Sequence, residues 1–233
     1  MSRLILVKFL NINQNYFNLF SVVILLTTLS SCNKFKLKEG DLLFQDLDSS
    51  PLCEAIESVT FGYNNYNISH IGFVININDE LKVLEAIPPK VKLTDLDTFL
   101  FRSTDSNNNP KVFVGRLDEK FKHVIPIAVD YCLSKLNLNY DEFFLINNNK
   151  YYCSELIYES FKSNNIFKLE KMNFNNLDGG KNEIWENYFD ELNMTIPQDS
   201  LGINPAALSK SKNINIIHFY GNLDKKNNTT FTN

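Results

Sequence analysis

Two spacings of apolar residues alternate along this chain, and together they predict an α+β domain. Apolar runs of strand length appear at 41–44, 70–77, 81–86, 111–117 and 214–219. The runs at 70–77 and 81–86 read as a hairpin turning at Asn78-Asp79-Glu80. That turn would set position 70 beside position 85, shifted by a residue or two into direct or diagonal cross-strand contact. Helical spacing governs the remainder. Asp48-Ser49-Ser50-Pro51 announces a helix that ends before Gly62, with a capping residue ahead of a proline. Thr94 to Leu100 reads as a short capped helix, and 119–137 as a long amphipathic one carrying Val124, Ile127, Ala128, Tyr131 and Cys132 on one face. Pro126 marks its first turn or a kink. In Cys153–Phe161, Leu156, Ile157, Ser160 and Phe161 share one face while Glu155, Tyr158 and Glu159 turn elsewhere. A further short helix is expected over 183–191, and the polar segment 222–233 reads as a disordered tail.

Composition narrows the class. With 233 residues, 44% of them hydrophobic and 13% aromatic, the chain suits one well-packed domain. A formal net charge of −4 without a basic stripe argues against a nucleic-acid partner. Arg3 and Lys8 precede an apolar run, Phe17 to Leu29, that is too short for an ordinary membrane-spanning helix. The run ends in Leu29-Ser30-Ser31-Cys32, which resembles a bacterial lipobox. This predicts a lipoprotein signal peptide over 1–31, lipidation of Cys32, a tether over 32–36 and a folded domain over 37–221. A plain secretory signal or an uncleaved anchor is the alternative. Lipidation would hold the protein in the bacterial cell envelope, on the outer or cytoplasmic membrane, facing the periplasm or the exterior. Cys53, Cys132 and Cys153 then remain, an odd number that leaves at least one thiol free or bridged to another chain. No CxxC pair exists and only three histidines are present, so neither a metal nor a cofactor is expected.

Three residues carry candidate chemistry. The polar loop Asn147-Asn148-Asn149-Lys150 cannot pack, so a helix starts close to Cys153 and leaves that thiol in the first turn. There the helix dipole and unpaired N–H groups favour thiolate, the nucleophilic form. A small buried cysteine is the plainer reading of the same position. His70 opens the strand Ser69-His70-Ile71-Gly72-Phe73, and Glu85 closes the next one in Leu84-Glu85-Ala86. Thiol, imidazole and carboxylate are the parts of a nucleophile, base and orienter. Cys53 and Cys132 read as packed, His123 as a surface residue, and His218 as packed or exposed without a catalytic partner.

The words around these residues make the reading specific. Glu39-Gly40-Asp41-Leu42-Leu43-Phe44, Ser69-His70-Ile71-Gly72, Glu85-Ala86, Tyr140-Asp141-x-x-Phe144 and Tyr152-Cys153-Ser154-Glu155-Leu156 resemble the YiiX/YebB-like branch of the NlpC superfamily of cysteine hydrolases. Trp185-Glu186-x-x-Phe189 and the stretch from Pro197 to Pro205 look like the C-terminal segment of that branch. The resemblance implies a circularly permuted papain-like fold, an antiparallel sheet packed against helices with the nucleophile at a helix N-terminus. The histidine preceding the cysteine is what permutation implies. By the same resemblance Tyr140 would help hold the oxyanion, with the backbone N–H of Cys153 as second donor; an ordinary core tyrosine is the alternative. The implied activity is amide hydrolysis through a thioester, on peptidoglycan peptides within reach of a tethered enzyme. A lipid acyl hydrolase or acyltransferase of the same fold, or a non-catalytic envelope binding protein, are the rivals. The substrate partner is thus peptide or lipid, the membrane contact is the N-terminal anchor, and the sequence is silent on oligomeric state.

Overall fold

Six strands build the main sheet of the computed structural model: β1 (Leu42–Gln45), β2 (His70–Ile77), β3 (Glu80–Ile87), β4 (Lys90–Asp95), β5 (Val112–Leu117) and β8 (Ile214–Phe219). A two-stranded ribbon, β6 (Glu170–Lys171) with β7 (Leu201–Gly202), stands apart from it. The main sheet has the order β4-β3-β2-β1-β5-β8, and every pairing is antiparallel. The structure describes residues 35–226. The segment expected to be a signal peptide, Cys32 and residues 227–233 lie outside the described residues.

The hairpin β2–β3 turns where the sequence places it. Asn78 and Asp79 take φ of 51° and 66°, and Ile77 pairs with Glu80. Positive φ at both central residues gives a two-residue turn whose twist matches the strands, and asparagine and aspartate tolerate that conformation. The register pairs Phe73 with Leu84, two positions away from a turn centred between 77 and 78. Six α-helices are found among the described residues: α1 (Pro51–Val59), α2 (Leu96–Leu100), α3 (Ile125–Leu133), α4 (Cys153–Phe161), α5 (Glu183–Glu191) and α6 (Pro205–Ser209). Helix α4 crosses β2 and β3 and packs against α3, while α1 packs against α5. The other sheet face is covered by α2. A Cβ on Gly72 would stand 2.7 Å from the Phe99 ring and 2.4 Å from Val83, so only glycine lets that helix approach.

Four expectations are corrected. Thr94 belongs to β4, and the helix starts only at Leu96, because Lys90–Asp95 supplies the hydrogen-bond partners that β3 would otherwise lack. The long helix over 119–137 divides into a 3₁₀ turn, Glu119–Val124, and α3. Pro126 lies in the first turn of α3, where its missing N–H costs nothing. Helix α4 is buried almost all round. Glu155 is 1% exposed and Tyr158 9%, and the backbone N–H groups of Asn147 and Tyr152 reach the Glu155 carboxyl. Finally, residues 222–226, where the tail is expected to begin, are tied to the domain. The backbone N–H groups of Asn222 and Asp224 donate to Asp105 and Asp46 (3.0 and 2.9 Å), Lys226 N donates to Asn65 O, and Leu223 is buried. Polar composition hides such ties, because the backbone makes them.

Candidate functional site

Cys153 is the first residue of α4, and its side chain is nearly buried. Its two neighbours in sequence fix its surroundings by gripping the backbone of one residue, Ile203, at both its N–H and its C=O. Tyr152 Oη accepts from Ile203 N (3.2 Å), and Ser154 Oγ donates to Ile203 O (2.9 Å). Ile203 is thereby pinned beside the thiol from both ends. Glu155 accepts from the Tyr152 backbone N–H (3.4 Å), closing the helix entry. Burial pushes the Glu155 carboxyl up to about 8, with the Asp141 carboxylate adding to the effect. The free N–H groups of the first turn and the dipole of α4 favour negative charge at this helix end.

His70 and Glu85 come together as the hairpin requires. The His70 Nε2 to Glu85 Oε2 distance is 2.6 Å, and both side chains are buried. Glu85 is gripped further by Thr94 Oγ1 at 2.5 Å and by Arg102, whose Nη2 lies 2.8 Å from both carboxylate oxygens. Burial opposes the charge on Glu85, yet hydrogen bonding to His70 and the charges of His70 and Arg102 overcome it and hold the carboxyl down at about 2. Burial likewise opposes charge on His70. Hydrogen bonding to Cys153 and to Glu85 outweighs it and lifts the imidazole to about 9. With Nε2 committed to Glu85, Nδ1 is the nitrogen left for the thiol. The Phe99 ring lies 5.8 Å from the imidazole and 4.4 Å below the Arg102 guanidinium, so α2 supports both the ring and the cation.

Tyr140 reaches the same place by a different route. Its N–H donates to Pro89 O (2.9 Å), and it forms a parallel bridge with Tyr151, so the edge of the sheet leads straight into the start of α4. Burial drives its phenol well above the ordinary value, with the nearby Cys153 charge adding to the shift. Tyr140 and Cys153 line one pocket. Its other walls are largely Ile56 and Val59 of α1, Phe144, Met172, Phe174, Trp185 and Ile203. No charged residue lines it.

The four candidates carried by the described residues, Cys153, His70, Glu85 and Tyr140, thus converge; Cys32 lies outside them. Arg102 and Thr94 escaped the sequence reading. Arg102 follows a helix too short to show a pattern, and Thr94 reads as a helix cap until β3 claims it as a strand partner. Cys53 and Cys132 are buried free thiols, His123 is exposed and His218 packs edge-on against Tyr220. Burial pushes the Cys132 thiol up to about 12, an inert setting. Among the described residues, one acidic group has oxygens close enough to hold a metal ion: Asp46, Asp48 and Asp224. The Lys111 ammonium already bridges them at 3.0, 2.7 and 2.8 Å.

A family model described as a permuted papain-like amidase enzyme, YaeF/YiiX, C92 family, matches residues 36–218. Among solved structures, a crystal structure of the metalloprotein yiiX from Escherichia coli O157:H7 superposes with a TM-score of 0.67 at 19% identity. The match covers 81% of this chain and 100% of that one, and at such identity it speaks for the fold alone. A comparison with curated proteins gave no match.

Proposed function

The chain belongs to the permuted papain-like amidase family, and from that premise we propose that it hydrolyses an amide through Cys153, His70 and Glu85. Its family is one of papain-like cysteine amidases, and its fold is the mixed one of antiparallel sheet and helices that this family implies. The observation that carries the assignment of roles is the chain of contacts from Cys153 through His70 to a fully buried, ionised Glu85. The Cys153 thiolate attacks the carbonyl carbon, and the carbonyl oxygen takes the negative charge. Tyr140 Oη and the Cys153 N–H are the donors that meet it. The His70 imidazolium gives its proton to the leaving nitrogen, and the C–N bond breaks to leave a thioester on Cys153. A water then attacks the thioester, His70 takes its proton, and the carboxylic acid departs as the thiolate is restored. Glu85 holds the ring and compensates its charge throughout, and Arg102 and Thr94 hold Glu85.

The pocket favours one substrate class over the other. A wall peptide bears charged groups that would need charged partners, and the lining around Cys153 contains none. Its aromatic and aliphatic walls suit an apolar acyl group on the carbonyl side of the bond; with a volume of about 40 Å³ it takes only the first carbons of a chain, and the rest would run out past Thr60, Asn173 and Asn204. We therefore read the substrate as an acyl amide with an apolar chain, and the peptidoglycan peptide as its rival. Anchoring at Cys32 in the cell envelope belongs to the same proposal, supported by Leu29-Ser30-Ser31-Cys32 alone. Intact-protein mass spectrometry after mixing with a medium-chain N-acyl amide should show an acyl thioester on Cys153. Parallel digests of wall fragments and lipid extracts decide between the rivals. Cleavage of wall peptides with none of acyl amides would reverse the substrate choice. A thiol inert to iodoacetamide at neutral pH would favour a binding protein.

A further inference from the structure

On the far side of Ile203 from the thiol pocket lies a second concavity of about 400 Å³. Lys168, Lys210 and Lys212 stand around it, all exposed and none paired with an acid among the described residues. Glu170 is its one acid, and Asn165, Ser211 and Asn213 add polar rim. The floor is apolar, with Ile166, Phe167 and Leu208 buried beneath it. The adjoining ribbon β6–β7 sets Lys171 opposite Leu201, and paired residues of antiparallel strands project on the same side. Leu201 is 55% exposed, a large apolar side chain offered to solvent beside an ammonium group.

We propose that this face docks on an anionic phospholipid surface, with one headgroup phosphate seated in the lysine-rimmed concavity and Leu201 entering the interface. Charge complementarity selects the partner: three lysines against one acid around the concavity, with Lys171 balanced by the exposed Asp199 on the adjoining ribbon, form a local excess on a chain whose formal net charge is −4. Lysines close to an anionic leaflet are attracted to it, and an apolar side chain among them adds burial at the acyl boundary. The apolar residue separates a lipid surface from other polyanions, which reward charge alone. Docking on this side would bring lipid to the wall that Ile203 shares with the thiol pocket. The inference concerns binding only, so it stands or falls independently of the role of Cys153.

Sedimentation of the full-length protein with vesicles tests it. Binding should be strong to vesicles containing phosphatidylglycerol, weak to pure phosphatidylcholine, and reduced by salt. Each lysine near the surface contributes a factor of about five, so the triple variant Lys168→Glu, Lys210→Glu, Lys212→Glu should bind on the order of a hundredfold more weakly. Leu201→Asp should also weaken binding, and soluble glycerophosphate should compete poorly. A matched reversal elsewhere, Lys90→Glu, Lys120→Glu, Lys122→Glu, isolates net charge from place, since these residues are also exposed. Equal loss in both triple variants, or undiminished binding in the first, would overturn the proposal. So would full inhibition by soluble glycerophosphate, which would make the site one for a free anion.

Discussion

Glu85 meets His70 diagonally across the hairpin. Phe73 pairs with Leu84, so Glu85 stands one step on, opposite Gly72, and His70 lies two residues further along β2. Yet Oε2 and Nε2 are 2.6 Å apart. The diagonal leaves Gly72 as the residue directly across, where the absent side chain admits Phe99 beneath the imidazole. One register thus supplies the acid, the space and the ring that backs the base.

Removing the sulfur should separate chemistry from folding. Cys153→Ala is expected to lower amide turnover by at least ~10³-fold, because the nucleophile is gone. Its melting temperature should stay within a few degrees, because the change is small and made at a helix end. Turnover that survives in this variant on every amide tested would refute the assignment.

The pH dependence follows from His70. Its folded-state pKa of about 9 lies above the ordinary 6.5, so the folded protein keeps a proton that the unfolded chain loses. The stability this contributes is complete below pH 6.5 and disappears as pH rises to 9. Wild type should lose more stability than Cys153→Ala across that window in denaturant titrations, since the thiol is one of the two partners that raise the ring. Catalysis should fall on the alkaline side near pH 9, where the acid for the leaving nitrogen is lost.

Glu85 and Arg102 should act as a unit. Glu85→Gln should reduce kcat on the order of 10³-fold, since an amide holds the ring without its charge. Arg102→Met leaves a buried carboxylate short of a cation, and breaking such a pair costs about 3–5 kcal/mol. The expected signature is a lowered Tm together with an acidic limb in the rate profile, as Glu85 becomes easier to protonate. Arg102→Lys should restore part of both. A change in Tm with an unaltered profile would make Arg102 structural only.

The pocket can be probed by filling it. Ile56 of α1 lines it and is partly exposed, so Ile56→Trp should be tolerated by the fold. KM for a ten-carbon acyl amide should rise at least tenfold while that for an acetyl amide changes little. Equal effects on both would place the acyl chain elsewhere.

Much of this molecule is written in short segments. The apolar runs at 70–77 and 81–86, joined by two residues that accept positive φ, determine a hairpin, because turn and strand preferences are local. The polar loop before Cys153 likewise determines where α4 begins, and with it a thiol at a helix end. That is why Cys153, His70 and Glu85 were legible as candidates, whereas Tyr140 entered only through the resemblance carried by Tyr140-Asp141-x-x-Phe144.

What the tertiary structure alone decided involves pairs distant in sequence. Thr94 became a strand residue because β3 needed a partner, and no local preference of Thr94-Asp95-Leu96 reveals that. Arg102 found Glu85 only once α2 had folded over Gly72. Glu155 of α4 was met by the backbone of Asn147 and Tyr152, a contact that side-chain spacing does not report, and the apolar lining around Cys153 was gathered from α1, α5 and the turns near Met172 and Ile203. Side-chain alternation reports which residues will be covered, but what covers them depends on contacts between segments, and those are set by the packing of the whole chain.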